Sequence, residues 1–215
     1  MSRRFDCDDP DERGRGIEQA AQAARRGDLV VLPTDTVYGL GTDAFAGHGV
    51  AALLHAKGRG RDMPVPVLVG SPRTMSGLTT DLPSVAHELV EAFWPGGLTV
   101  VVPQAPSLQW DLGDTDGTVA LRMPLHPVAI ELLAMVGPMA VSSANRSGEP
   151  PATTADEAEG QLGDSVAVYL DGGPSGDAVP SSIVDLTGPV PLLLRAGAVS
   201  LDELRTVAPD LQVAG

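Results

Sequence analysis

The strongest constraint on how this chain folds is a helical spacing of small apolar residues that runs straight into a short, unbroken apolar strand. Ile17, Ala20, Ala21 and Ala24 recur at the interval of one helix face, and Gly27 follows two arginines as a C-terminal stop. Leu29-Val30-Val31-Leu32 comes next and is closed by Pro33. A run that short without polar alternation suits a strand covered on both faces. The alternation persists: helices are predicted over 50–56, 84–93 and 128–135, and strands over 65–69, 98–102, 119–123 and 139–142. Ser84 is placed as an N-cap, and Trp94-Pro95-Gly96-Gly97 as the stop of the helix it opens. Thr154-x-x-Glu157 and Ser200-x-x-Glu203 have the capping-box pattern and open two more helices. Strands are predicted around them over 166–170, 182–186 and 192–195.

Such interleaving predicts an α/β fold of three layers, and the hairpin-length spacings near the C-terminus make the sheet a mixed one. A single domain over residues 16–208 is expected. Residues 1–15 are polar, charged and without period, so they are read as a disordered N-terminal segment, with 209–215 as a C-terminal tail.

Composition removes several classes of function. Hydrophobic content of 43% with only 3% aromatic means a core of Val, Leu and Ala. The single Cys7 excludes an intramolecular disulfide and a cysteine-rich zinc site, and the four histidines do not pair at ligand spacing, so no protein-bound metal site is expected. No apolar run approaches the ~20 residues of a membrane span. Arg3-Arg4 is followed by acidic residues where an export signal needs apolar ones, so a soluble, cytoplasmic protein is expected. A net charge of -14 disfavours broad, sequence-independent binding to nucleic acid. It leaves room for a small charged substrate held in one focused pocket.

Against that acidity, Lys57 is the only lysine, and it stands in Lys57-Gly58-Arg59-Gly60-Arg61-Asp62. Three cations within five residues, with glycines that let backbone approach closely, suit an anion; a solvated basic loop is the alternative. Residues 33–44 place Thr34 and Thr36 just past a strand end, where α/β proteins hold ligands, or form an ordinary turn. Gly39-x-Gly41-x-x-Ala44 imitates a dinucleotide fingerprint, but the glycines fall late after the first strand, and residues 45–49 do not suit an immediate helix start. Arg122 lies in the apolar strand of Thr118-Val119-Ala120-Leu121-Arg122-Met123-Pro124, where a buried guanidinium needs an anion: a protein carboxylate or a substrate one. Residues 142–154 offer a cradle of small hydroxyls, Asn145 and Gly148, while Ser181 and Arg195 flank later strands. No catalytic triad, carboxylate pair or Cys/His couple assembles from these positions. Cations and hydroxyls fit anion binding and stabilisation of developing charge.

Six segments together resemble the YrdC-type threonylcarbamoyl-AMP synthases over about residues 16–201. They are Pro33-Thr34-Asp35-Thr36-Val37-Tyr38-Gly39-Leu40-Gly41, Lys57-Gly58-Arg59, Trp94-Pro95-Gly96-Gly97-Leu98-Thr99, Ala120-Leu121-Arg122-Met123-Pro124, Ser143-Ala144-Asn145-Arg146-Ser147-Gly148 and Leu194-Arg195-Ala196-Gly197. Each is weak alone; their order and spacing make the signal specific. The resemblance implies a twisted mixed sheet with flanking helices and a cationic cavity on one side. It also implies a nucleotidyltransferase that makes threonylcarbamoyl-AMP and pyrophosphate from L-threonine, bicarbonate or CO2, and ATP, for threonylcarbamoyladenosine in tRNA. A separate complex would transfer the group to tRNA, with Mg2+ carried on ATP.

By position, the resemblance implies Thr34, Arg122, Ser143 and Ser181 as threonine contacts. Lys57, Arg59, Thr118, Asn145, Thr153 and Arg195 are implied as the ATP set, with Lys57 and Arg59 catalytic. Departures fall at Met63, Leu68, Ser142 and Pro180, and no family role falls on Arg61. The chain ends soon after the motifs, as in a short form lacking the C-terminal domain of longer relatives. The competing reading is an RNA-binding or ribosome-associated module of the same fold without adenylate-forming activity, which the net acidity and few aromatics disfavour. A carbamoyl-adenylate-forming module of the hydrogenase-maturation type is a third, disfavoured because acylphosphatase-like and zinc-finger segments are missing.

Overall fold

A mixed sheet spans the chain, whose computed structural model describes residues 2–176 and 179–214. Its strands are β1 (Arg3–Asp6), β2 (Val30–Leu32), β3 (Gly39–Asp43), β4 (Val67–Leu68), β5 (Leu98–Pro103) and β6 (Thr118–Arg122). They continue as β7 (Met139–Ser143), β8 (Val168–Asp171), β9 (Ser182–Asp185), β10 (Leu192–Arg195) and β11 (Gln212–Val213). In space they run β1-β8-β2-β3-β7-β4-β6-β5-β9-β10-β11. The helices are α1 (Pro10–Arg25), α2 (Gly47–Lys57), α3 (Pro72–Leu78), α4 (Ser84–Phe93), α5 (Pro127–Val136), α6 (Ala155–Leu162) and α7 (Leu201–Val207). Parallel pairs such as β2 with β8 sit beside antiparallel ones such as β3 with β7.

Both faces of the sheet are covered, which is why its central strands read as continuous apolar runs. Successive residues of β2 divide between two cores: Val30 and Leu32 pack with α1 and α5, Val31 on the opposite side with Tyr38, Leu53 and Tyr169. β7 alternates likewise, with Met139 and Val141 on the first side and Ala140 on the second. Burial of each such side chain contributes about 1.5–3 kcal/mol, so the three-layer arrangement follows from the apolar pattern.

The termini correct the sequence reading. Residues 3–15, expected to be disordered, hold β1 and the first turns of α1. β1 pairs in parallel with β8, and Arg4 reaches Asp171, Asp156 and Glu159, so its charge is spent on three carboxylates. Asp9 caps α1 by accepting from the amides of Asp11 and Glu12, with Pro10 opening the helix. A strand without apolar period and a helix start rich in acid carry no hydrophobic signal, which is why the reading missed them. Gln212–Val213, inside the expected tail, pairs with β10.

Other differences are local. α2 starts at Gly47 despite the glycines around it, because Gly49 lies against Thr42 and Gly27, where a Cβ would come within 2.5 Å of the threonine hydroxyl. Pro83, not Ser84, is the N-cap of α4. Thr154 accepts from the Glu157 amide, while the Glu157 carboxylate turns to Thr153. The box at Ser200 is complete. Gly39 and Gly41 lie within β3, where a Cβ would press on Val141 at 2.7 and 2.8 Å. They serve close strand pairing with β7, not a phosphate turn.

Candidate active site

The turn between β2 and β3 is tied to the end of β6 by Arg122. Its Nε donates to Gly96 O (2.9 Å), its Nη1 to Thr36 Oγ1 (2.8 Å) and its Nη2 to Asp35 Oδ1 (2.5 Å). Burial pushes the guanidinium pKa down, and Asp35 opposes that shift. The protein thus supplies a carboxylate for the buried arginine. Thr34 is buried beside it, donating to Val37 O (2.7 Å) and lying 3.1 Å from Thr36 Oγ1. Thr36 was noted with Thr34 as lying just past a strand end, but Asp35 had no role in the sequence reading; the need of Arg122 for an anion was the signal that could have found it.

Lys57 closes α2 and is 3% exposed. Its ammonium donates to the carbonyl oxygen of Ser143, to that of Asn145 (2.7 Å) and to Asn145 Oδ1 (3.3 Å). Desolvation and then the charge of Arg59 push its pKa down to about 8. Gly58 takes φ +63 to end the helix and turn the chain toward Arg59. The same cradle is braced from within, since Asn145 Nδ2 donates to the carbonyls of Arg146 and Glu149.

Arg59 bonds through Nη1 to Ser142 Oγ (3.3 Å), while its buried Nε has no partner among the described residues. Arg195, at the exposed end of β10, donates through Nε and Nη2 to Ser181 O (3.0 and 2.7 Å). Ser181 Oγ lies 2.8 Å from Thr99 Oγ1. Gly97 and Gly197 permit this packing: a Cβ on Gly97 would meet Ala198 at 2.6 Å, and one on Gly197 would meet Pro180 O at 2.3 Å. The Arg195 pKa is lowered by desolvation and then by the charges of Arg122 and Arg59. Arg195 thus feels both other guanidiniums, of which Arg122 is paired with the Asp35 carboxylate.

Ser143 and Asn145 join Lys57, Ser142 joins Arg59, and Thr34 and Arg122 meet through Thr36. Two other sequence candidates are bonded only locally. Thr118 opens β6, about 13 Å from Arg122 at the usual rise per residue, and donates to Thr115 O. Thr153 gives its hydroxyl to Glu157. Arg61 faces outward on Asp111 and Asp114, a solvated ion pair. Leu68 is buried in the core beside α1 and α5, whereas Met63 is exposed. A surface hollow of about 320 Å³ beside Gly27 and Asp164 contains none of these candidates. Among the described residues, no three His, Cys, Asp or Glu side chains converge as metal ligands.

A family model named for Sua5, YciO and YrdC, described as "Telomere recombination", matches residues 22–197. The chain belongs to this family. A Mycobacterium tuberculosis protein, named provisionally as a threonylcarbamoyl-AMP synthase, is 64% identical over 207 residues, 96% of this chain and 95% of its own. The Bacillus subtilis threonylcarbamoyl-AMP synthase is 36% identical over 99% of this chain and 63% of its own length. The solved structure of Pyrococcus abyssi Sua5 complexed with L-threonine superposes with a TM-score of 0.92 at 33% identity. This chain is covered completely in that match and spans 62% of the Sua5 chain. Members of the Sua5/YciO/YrdC family thus share this mixed α/β fold, and no described helix here is long and apolar enough to cross a membrane.

Proposed function

We propose that this chain is an L-threonylcarbamoyladenylate synthase, forming threonylcarbamoyl-AMP and pyrophosphate from L-threonine, bicarbonate or CO2, and ATP. The observation that carries the reading is that Arg195, bonded to Ser181, lies close enough to Arg59 and Arg122 for their charges to lower its pKa, in a chain of net charge -14. Guanidiniums gathered in this way suit a polyanion. The named relatives and the threonine-bound Sua5 supply the substrate class.

In the reaction, the threonine amine is carboxylated by bicarbonate or CO2 to a carbamate. A carbamate oxygen then attacks the α-phosphorus of ATP, and the bond to pyrophosphate breaks. Both reactants are anionic, so fixed cations offset their repulsion and the charge on the departing pyrophosphate. Arg59, with a buried Nε still free to donate among the described residues, and Arg195 are proposed to meet the triphosphate. Lys57 is proposed to act with them while holding Ser143 and Asn145 in place. Thr118 and Thr153 belong to this ATP set only if binding rearranges their local bonds. Thr34, Arg122, Ser143 and Ser181 are proposed to hold threonine, with Arg122 kept rigid by Asp35. Holding the carbamate oxygen in line with the leaving group, away from water, favours transfer over breakdown.

Magnesium is proposed as a passenger on the triphosphate, because the site's residues are cations and hydroxyls apart from Asp35, whose carboxylate is committed to Arg122. Bound there, it would neutralise phosphate charge. The product would pass to a tRNA-modifying transfer complex in the cytoplasm.

The test is pyrophosphate release from ATP with threonine and bicarbonate omitted in turn. Release that needs both supports the reading. Turnover indifferent to both omissions rejects it.

A further inference from the structure

Beside Thr34, a cavity of about 130 Å³ lies between the β2–β3 turn and residues 172–176. His126, Ser175, Asp35 and Thr34 line it. Two of these offer a buried polar atom without a hydrogen-bond partner among the described residues: Nδ1 of His126 and Oγ of Ser175. Buried polar atoms are otherwise paired almost throughout native proteins, so two orphans meeting in one cavity mark it as a place for polar contents. The walls are held firmly. Tyr38, from the same turn, donates its hydroxyl to Gly173 O (2.5 Å) and accepts from the Gly172 amide (3.0 Å). A Cβ on Gly172 would sit 3.2 Å from the His126 ring, so the glycine lets the ring reach the cavity.

The four lining side chains differ in what they can do with a proton. Thr34 spends its hydroxyl proton on Val37 O. Asp35 accepts from both Arg122 and the Leu125 amide, which commits it as an ion-pair partner. Ser175 can relay a proton but not keep one. His126 is left as the acceptor: with its proton on Nε2, the buried Nδ1 keeps an open lone pair on a ring that lines the cavity. The charged groups that act on it are Asp35 from the β2–β3 turn and Arg13 from α1, itself held by Glu131 of α5. Desolvation, the largest influence, lowers the imidazole pKa, with Asp35 opposing and Arg13 adding to the shift, which favours the neutral ring.

We propose that His126 is the base for carbamate formation, taking through water in this cavity the proton that the threonine ammonium must lose. This rests on the synthase reading above. Threonine ammonium and bicarbonate together give the carbamate, one water and one proton. The N–C bond forms as the C–O bond to the departing hydroxide breaks. That hydroxide takes one ammonium proton and leaves as water. The other ammonium proton passes beforehand, by way of water and the Ser175 hydroxyl, to His126 Nδ1, which frees the nitrogen lone pair for the attack, and it returns to solvent after transfer. The cavity touches Thr34, one of the proposed threonine contacts, which places the relay at the substrate's side.

The test is threonine- and bicarbonate-dependent pyrophosphate release by the full chain between pH 5.5 and 8.5, for the wild type, His126→Ala and Ser175→Ala. Wild-type kcat is expected to fall on the acid side as His126 is protonated. His126→Ala is expected to lose about 100-fold in kcat, the usual reach of a general base, together with that acid limb. Added imidazole, small enough for the enlarged cavity, is expected to restore part of the rate. Ser175→Ala, which leaves the ring in place, is expected to lower kcat while keeping the acid limb. An unchanged rate and profile in His126→Ala would overturn the proposal. So would a loss equal at every pH that imidazole does not relieve, since that is the mark of a structural histidine. If the wild type itself needs neither threonine nor bicarbonate, the synthase reading falls first and this one with it.

Discussion

Arg122 and Asp35 are paired inside the protein, with 2.5 Å between the guanidinium Nη2 and the carboxylate oxygen and side-chain exposures of 8% and 17%. The carboxylate also accepts from the Leu125 amide. One acid therefore fixes the turn after β2 to the end of β6. Removing it leaves a buried cation with only neutral acceptors, a change that typically costs about 3–5 kcal/mol. Asp35→Ala is expected to lower the urea midpoint accordingly, whereas Asp35→Asn, which keeps an acceptor for the amide, is expected to lose less. Equal midpoints for wild type and Asp35→Ala would show that the pair contributes nothing.

Lys57 is expected to reveal itself through pH. Its folded pKa, pushed down to about 8 by burial and by Arg59, lies below the ordinary lysine value of about 10.4. The folded state therefore binds that proton more weakly than the unfolded chain. The resulting penalty is complete below pH 8 and fades as pH rises toward the unfolded value. In Lys57→Met the penalty is gone, but the oxygens of Ser143 and Asn145 lose their donor. Chemical denaturation of both proteins at pH 7 and at pH 9 is expected to show the wild type gaining on the variant at the higher pH. A difference independent of pH would mean that the three accepting oxygens hold the lysine at its ordinary pKa.

Cys7 offers a check on the N-terminal packing. Its thiol is 5% exposed, and burial pushes its pKa up to about 12. At pH 8 it is both covered and protonated, and the thiolate is the reactive form. A thiol reagent is expected to label the native chain at least roughly 100-fold more slowly than the urea-unfolded chain. Comparable rates would show that β1 and the start of α1 do not stay packed over β8.

The sequence made the sheet and its cover legible wherever apolar residues repeat, as in α1, β2, α5 and β7. It hid β3, because Gly39-Leu40-Gly41-Thr42-Asp43 reads as a polar turn while its glycines answer to a neighbour, Val141, far along the chain. It hid β1 because a short edge strand is held by pairing with β8 and by ion pairs of Arg4, neither of which has a local period. In the site, residue types pointed to cations and hydroxyls, and Lys57, Ser143 and Asn145 do meet. What the pattern could not give is partnership. Arg122 faces Asp35 and Lys57 faces carbonyls, and such pairings depend on how distant segments fold together. Thr118 and Thr153 show the reverse, resembling binding residues by position yet bonded to their own neighbours.

Arg195 separates binding from stability most cleanly. Its guanidinium, at the exposed end of β10, has its pKa lowered by desolvation and then by the charges of Arg122 and Arg59, and its bonds to the protein go to the buried Ser181 just ahead of β9. Removing it relieves like-charge repulsion and the desolvation of a cation, against the loss of its bonds to Ser181. Arg195→Ala is therefore expected to melt at or slightly above the wild-type temperature. A charge-assisted bond to phosphate is worth about 1.5–3 kcal/mol, so kcat/KM for ATP is expected to fall by about 10- to 100-fold. The salt dependence of the ATP KM is expected to flatten, because one cation no longer faces the triphosphate. A variant that loses melting temperature and activity together, with its salt dependence intact, would make Arg195 a strut for Ser181 and not a nucleotide contact.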